Sequence, residues 1–192
     1  MKSRRGLTLV ELMVVLAIVV AMAAVVIPLL GDSPRDAQAT VTRASMAHVR
    51  DAYIRLRVDN PFRRNESGPD TPLMPADIRM ADLFLPRRLS DNATPFLRDW
   101  NPLTHTGWNG PYLKNTGATY PFPVSGTDLY GFSAMHGASN DPVLMDGFSH
   151  TDGRRCPLVF TSSPDGSMVW VQSAGPNGVL QDSDDLTLQV YP

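Results

Sequence analysis

With 192 residues, 43% of them hydrophobic, the chain is long enough for one modest folded domain beside a long helix. Nineteen acids against 17 Lys and Arg leave a net charge of −2, which excludes the strongly basic surface of a nucleic-acid binder. A single cysteine, Cys156, excludes an internal disulfide; it reads as a buried structural residue, since Arg154 and Arg155 beside it complete no catalytic-thiol signature.

The chain opens on Met1-Lys2-Ser3-Arg4-Arg5-Gly6, with cations at Lys2, Arg4 and Arg5 and no anion. Residues 7–30 follow, apolar except for Thr8 and Glu11. As a helix this run would reach about 36 Å, enough for a hydrocarbon core of about 30 Å, with the cations on the cytoplasmic side and the remainder exported. A cleaved secretory signal could end near Ala21-Met22-Ala23, but an apolar core of this length with an acid at its start is foreign to such signals. A plain uncleaved anchor explains the length and leaves Glu11 unexplained, because a carboxylate near the start of a span is costly. A buried carboxylate needs a compensating charge, which an amino terminus of a neighbouring chain can supply.

The string Gly6-Leu7-Thr8-Leu9-Val10-Glu11 resembles the processing site of type IV prepilins and of the pseudopilins of type II secretion systems. The resemblance implies that a prepilin peptidase cuts after Gly6 and methylates the new amine on Leu7, where phenylalanine is commoner. It implies that Glu11 pairs with the Leu7 amine of a neighbouring subunit, so that the helices self-assemble, staggered, into a filament. It implies an α+β pilin-like fold: a long N-terminal helix packed on a small antiparallel sheet, with a loop-rich middle. Four segments follow: a leader, 1–6; a transmembrane and filament-core helix, 7–30; its amphipathic continuation, 31–60; and a periplasmic globular domain, 61–192. Loss of the leader takes the net charge from −2 to −5, since three cations leave with no acid.

Pro28 predicts a kink late in the apolar helix, and Gly31-Asp32-Ser33-Pro34 a loosened stretch before helix-forming composition resumes at Arg35. From Asp36 to Val58, the residues Val41, Val49, Ala52, Tyr53 and Leu56, with Ser45 between, fall on one side and predict a buried stripe. Arg43 and Arg50 point away from it, and His48 and Arg55 flank it. Asn60-Pro61 predicts the stop.

Residues 60–153 are rich in Pro, Gly, Asn and Ser and read as loops with short strands. Within them Gly107-Trp108-Asn109-Gly110-Pro111-Tyr112-Leu113-Lys114 combines rings that pin a segment to a core with residues that set a turn. It also resembles a tryptophan-glycine-proline-tyrosine segment of the major pseudopilin. Residues 117–153 depart from that family, being long and retaining only Asp146-Gly147-Phe148 as a remnant of a tryptophan-glycine-asparagine-proline element.

The C-terminal part predicts a hairpin, Leu158–Thr161 and Met168–Gln172 about the turn Ser163-Pro164-Asp165-Gly166, and a further strand over Leu186–Tyr191. Between the last two strands, residues 173–185 crowd oxygen donors into a glycine-containing loop, where Asp182, Asp184 and Asp185 would repel one another without compensation. The spacing is not that of an EF-hand. An acidic solvated turn that binds nothing is the competing reading.

This loop resembles the calcium loop of the major pseudopilin. The resemblance implies calcium, with Ser173, Asp184 and Asp185 as side-chain ligands, Asp182 as an extra acid, and carbonyls of Leu180 and Leu186 as backbone ligands. Asn177 stands where an acid is commoner and Gln181 where glycine is commoner. No phosphate loop, nucleophile elbow or histidine pair occurs, so no enzyme is predicted. The implied role is a major-type pseudopilin, held in the inner membrane before assembly, that helps drive protein export across the outer membrane, with minor pseudopilins and an inner-membrane assembly platform as partners. A type IV pilus subunit and a membrane-anchored binding module that never polymerises are the alternatives.

Overall fold

The computed structural model describes residues 9–30, 33–63, 69–85, 97–119, 141–150 and 155–191. Two compact units emerge, residues 1–37 and 38–192.

In the first unit, helix α1 spans Leu9–Leu30. Its run of Leu, Val, Ile, Met and Ala offers no polar face, and every described side chain, over residues 9–24, is exposed. Among the described residues no helix is long and apolar enough to cross a membrane. Pro28 lies within α1 and α2 begins at Ser33, while Gly31 and Asp32 of the expected loosened stretch lie outside the described residues. Pro34 stands in the first turn of α2 (Ser33–Asp59), where a missing N–H costs nothing.

The second unit is built on α2. The buried row of this helix is Thr42, Met46, Val49, Tyr53 and Leu56, spaced alternately by four and three and continued by Asn60 just past its end, with Ala52 buried beside it. That corrects the predicted stripe at its N-terminal end: Val41 is 57% exposed and Ser45 half-buried. The physical reason is a long-range bond. The Gly147 amide donates to Thr42 Oγ1 at 2.9 Å, which turns Thr42 inward, and Thr42 in turn donates to the Gln38 carbonyl at 2.8 Å. The helix ends as expected before Pro61: the Asn60 amide nitrogen and its side-chain Nδ2 both donate to the Leu56 carbonyl, at 2.9 and 3.0 Å.

Three antiparallel strands follow one another as β3 (Val159–Ser162), β4 (Val169–Ser173) and β5 (Leu186–Tyr191) in the spatial order β3-β4-β5. Val159 faces Gln172, Val171 faces Leu188 and Ser173 faces Leu186. The expected hairpin and final strand are therefore present, within one residue at each end of the first two strands. A two-residue ribbon, β1 (Phe62–Arg63) with β2 (Thr71–Pro72), follows α2. The whole is an α+β pilin-like fold, a helix packed on a small antiparallel sheet.

Val49, Tyr53 and Leu56 of α2 share one core with Val159, Val171 and Val190 of the sheet. Burying each such side chain contributes about 1.5–3 kcal/mol. The Tyr53 ring meets Phe160 edge-on at 5.3 Å and donates its hydroxyl to the Pro75 carbonyl at 2.8 Å. Arg57, one turn on, stacks over the Tyr191 ring at 4.1 Å.

Candidate functional site

Three places carry candidate chemistry. The first is the N-terminus of α1: Glu11 sits exposed in its first turn. Gly6 and Leu7 lie outside the described residues.

The second is the tryptophan segment, which fastens the end of α2. The Gly107 amide donates to the Asp59 carbonyl at 2.7 Å, and the Tyr112 hydroxyl to Asp59 Oδ2 at 2.9 Å. On the other side the Trp108 indole donates to the Asp82 carbonyl at 3.0 Å and the Tyr112 amide to the Leu83 carbonyl at 2.8 Å. The two rings meet edge to face at 6.0 Å, and Gly110 lies so close to the Trp108 ring that a Cβ there would come within 2.6 Å of it. The expected pinning role holds: the segment bridges the last turn of α2 and the short helical turn Met80–Leu83.

The third is the acidic loop between β4 and β5. Carboxylate oxygens of Asp182, Asp184 and Asp185 lie within 4.8 Å of one another. Their repulsion is met by fixed donors. Asn177 Nδ2 donates to Asp182 Oδ2 at 2.5 Å and to Asp184 Oδ1 at 2.8 Å, while its own oxygen accepts from the Val179 amide at 2.7 Å. Asp185 Oδ2 accepts from Gln172 Nε2 and, at 2.6 Å, from the Gln181 amide. Among the described residues the buried Asp185 Oδ1 has no hydrogen-bond partner. The hydrogen bond shared with Asp184, and then Asn177, holds the Asp182 carboxyl below the ordinary carboxylate range; desolvation and the Asp182 contact raise that of Asp184.

Backbone shape follows from the same residues. Gly175 adopts φ +60° against the backbone of Asp184, where a Cβ would come within 2.3 Å of the Asp184 carbonyl oxygen. Gln181 adopts φ +71°, a left-handed conformation that suits glycine. Leu180 is buried in the core and Leu186 opens β5.

Ser173 does not join the carboxylates through its hydroxyl hydrogen. It is fully buried at the end of β4 and donates to Asp146 Oδ2 at 2.9 Å, while its oxygen accepts from the Gly175 amide at 3.3 Å. Asp146 is 2% exposed, and burial pushes its carboxyl up to about 6, opposed by the bond from Ser173 and the nearness of His150. His150 Nδ1 lies 3.1 Å from the Pro176 carbonyl, which places a proton on that nitrogen. Asp146 and His150 are thus part of the loop's foundation, and sequence reasoning missed both. The one signal was the Asp146-Gly147-Phe148 remnant. Gly147 is pressed onto α2, where a Cβ would meet the Gln38 carbonyl oxygen at 2.9 Å, and this seats Asp146 beneath the loop.

The donor set fits a hard divalent cation. The carboxylates of Asp182, Asp184 and Asp185, with the buried Oδ1 of Asp185 one of their oxygens, suit calcium, and oxygens on opposite sides of such an ion stand about 4.6–5.2 Å apart.

A family model described as the prokaryotic N-terminal methylation motif matches residues 1–27. That motif is the prepilin-peptidase cleavage and assembly signal, and the match supports a type IV pilin-like subunit, structural in kind, membrane-anchored and facing the periplasm. No curated protein and no solved structure matches the chain.

Proposed function

We propose that this chain is a major-type pseudopilin of a type II secretion system, a filament subunit that helps drive protein export across the outer membrane. The leader 1–6 is removed after Gly6, Leu7 is methylated, and residues 7–30 hold the subunit in the inner membrane until assembly. Glu11, which is too costly to leave in hydrocarbon unpaired, neutralises the Leu7 amine of the next subunit and sets the stagger between helices. The observation that carries the secretion reading is the Trp108–Tyr112 staple on the end of α2, in a chain whose last two strands also frame an acidic loop.

Calcium bound by Asp182, Asp184 and Asp185, with the Ser173 oxygen and the carbonyls of Leu180 and Leu186, would stabilise that loop. The ion would take over the charge compensation that the Asn177 amide supplies without it.

The test of processing is the intact mass and N-terminal sequence of the protein from its native membrane, with and without the prepilin peptidase. A mature start at methylated Leu7 that disappears in the peptidase-deficient strain supports the reading; a retained Met1 or a start near Ala24 overturns it. Disrupting the chain should block export of folded cargo and leave surface fibres intact. Lost fibres with normal export would assign the subunit to a pilus. Chelation should lower the melting temperature of the protein, and Asp184→Ala should abolish that shift; identical melting curves would remove calcium.

A further inference from the structure

A hydroxyl that ligates a cation must present a lone pair to the ion and send its hydrogen elsewhere. Ser173 is fully buried, so its hydrogen has no water to go to, and its rotor is decided by protein groups. The carboxylate 2.9 Å away, Asp146 Oδ2, accepts that hydrogen. Asp146 is itself fixed three ways. Its amide donates to the Cys156 carbonyl at 2.9 Å, its Oδ1 accepts from the Phe148 amide at 3.3 Å, and the following residue, Gly147, is bonded to Thr42 of α2. The Ser173 oxygen then faces the Gly175 turn, which packs against the backbone of Asp184, while Ser173 pairs with Leu186 across the sheet.

We propose that Asp146 is a positioning residue for the cation loop: by taking the Ser173 hydrogen it aims the Ser173 oxygen at the ion held by Asp182, Asp184 and Asp185. This rests on the calcium reading above, and it adds a residue 27 positions before Ser173 that contributes no ligand of its own. The orientation is one-sided only because a carboxylate accepts and never donates while ionised. Asparagine at 146 keeps the shape but can offer its NH2 to the serine oxygen, which turns the hydrogen toward the ion and occupies the lone pair that ligates it.

The experiment is calcium titration of the full chain in detergent by calorimetry, for wild type, Asp146→Asn, Ser173→Ala and the double variant, with melting temperatures recorded in chelator. Asp146→Asn should weaken calcium about 10–100-fold. In the Ser173→Ala background the same substitution should change affinity by less than about twofold, because the group through which Asp146 acts is gone. Equal losses in both backgrounds would overturn the positioning role and make Asp146 a general support of the fold. Wild-type affinity in Asp146→Asn would overturn it too, leaving the calcium reading intact. No heat of binding in the wild type would overturn both.

Discussion

The two long helices differ in what they leave uncovered. Helix α1 is apolar on every side, and its described side chains are all exposed, Leu9 at 74% and Leu16 at 58% among them. Helix α2 is polar around most of its circumference and buries a single row, with Val49, Tyr53 and Leu56 inaccessible. A helix with one apolar stripe can be completed by its own chain, through a sheet laid against that stripe. A helix apolar all round requires lipid or other helices on all sides, which a small domain cannot supply. The contrast separates a helix whose stripe its own chain covers from one whose described side chains stay bare.

The sharpest way to break that contrast is a matched pair of truncations. Tyr53→Ala removes a fully buried ring together with its bond to Pro75 and should cost about 3–5 kcal/mol. Leu16→Ala should leave the denaturant midpoint of the folded domain unchanged and lower only the yield of assembled filament. Chemical unfolding of the two variants in the same detergent, followed by tyrosine and tryptophan fluorescence, reads the first effect; sedimentation of assembled material reads the second. A comparable loss of domain stability in Leu16→Ala would mean that α1 is part of the folding unit after all.

A smaller perturbation tests how α2 is held at its N-terminal half. In Gly147→Ala the new methyl would sit 2.9 Å from the Gln38 carbonyl oxygen and 3.0 Å from Thr42 Oγ1. Backbone on one side cannot yield, so the 146–148 segment must lift from the helix, at about 1–3 kcal/mol. Hydrogen exchange would localise the change to the amide of Gly147 and the 146–148 segment. Unaltered protection there would show that the Thr42 bond is dispensable.

How much of this was legible in the sequence depends on how local the cause is. The final strand was readable from the alternation of Leu186, Leu188 and Val190, and the hairpin from Ser163-Pro164-Asp165-Gly166, because the residues that decide them are neighbours. The stop at Asn60-Pro61 was readable for the same reason. The inward turn of Thr42 was not: the donor that draws it in lies 105 residues away, and the valine beside it is the better apolar candidate. Asp146 was hidden likewise, since an acid is placed in a core only by partners, here the Ser173 hydroxyl and the Phe148 amide, that no local pattern announces. In the acidic loop the charges were legible and their compensation was not, for Asn177 looked like a missing ligand before its amide was seen bridging Asp182 and Asp184.

That loop offers a change in the stabilising direction. Gln181 holds φ +71°, a conformation that costs an L-residue about 1 kcal/mol and glycine almost nothing. Its side chain is exposed, so Gln181→Gly loses no buried contact. The substitution should raise stability by up to about 1 kcal/mol, less the extra entropy glycine has in the unfolded chain. A fall in the melting temperature would mean that the Gln181 side chain contributes something its exposure does not suggest.

The smallest effect belongs to the β3–β4 turn, the part of the second unit least dependent on the core. Asp165 accepts from the Ser163 hydroxyl at 2.5 Å, the Ser167 hydroxyl at 2.8 Å and the Ser167 amide at 3.2 Å. Those bonds, the one from Ser163 foremost, favour the ionised form and lower its pKa from 3.8 to about 2. In the unfolded chain the carboxyl regains its ordinary value, so between these two the unfolded state holds more protons than the folded one. The contribution of Asp165 is therefore complete above about pH 4 and is lost as the pH falls toward 2. Because the turn is open to solvent, the slope should be slight. Asp165→Asn should flatten the acid limb of melting temperature against pH and leave the neutral region nearly unchanged. An acid limb as steep in the variant as in wild type would transfer the acid sensitivity to other carboxylates, with those of the loop between β4 and β5 the next to substitute.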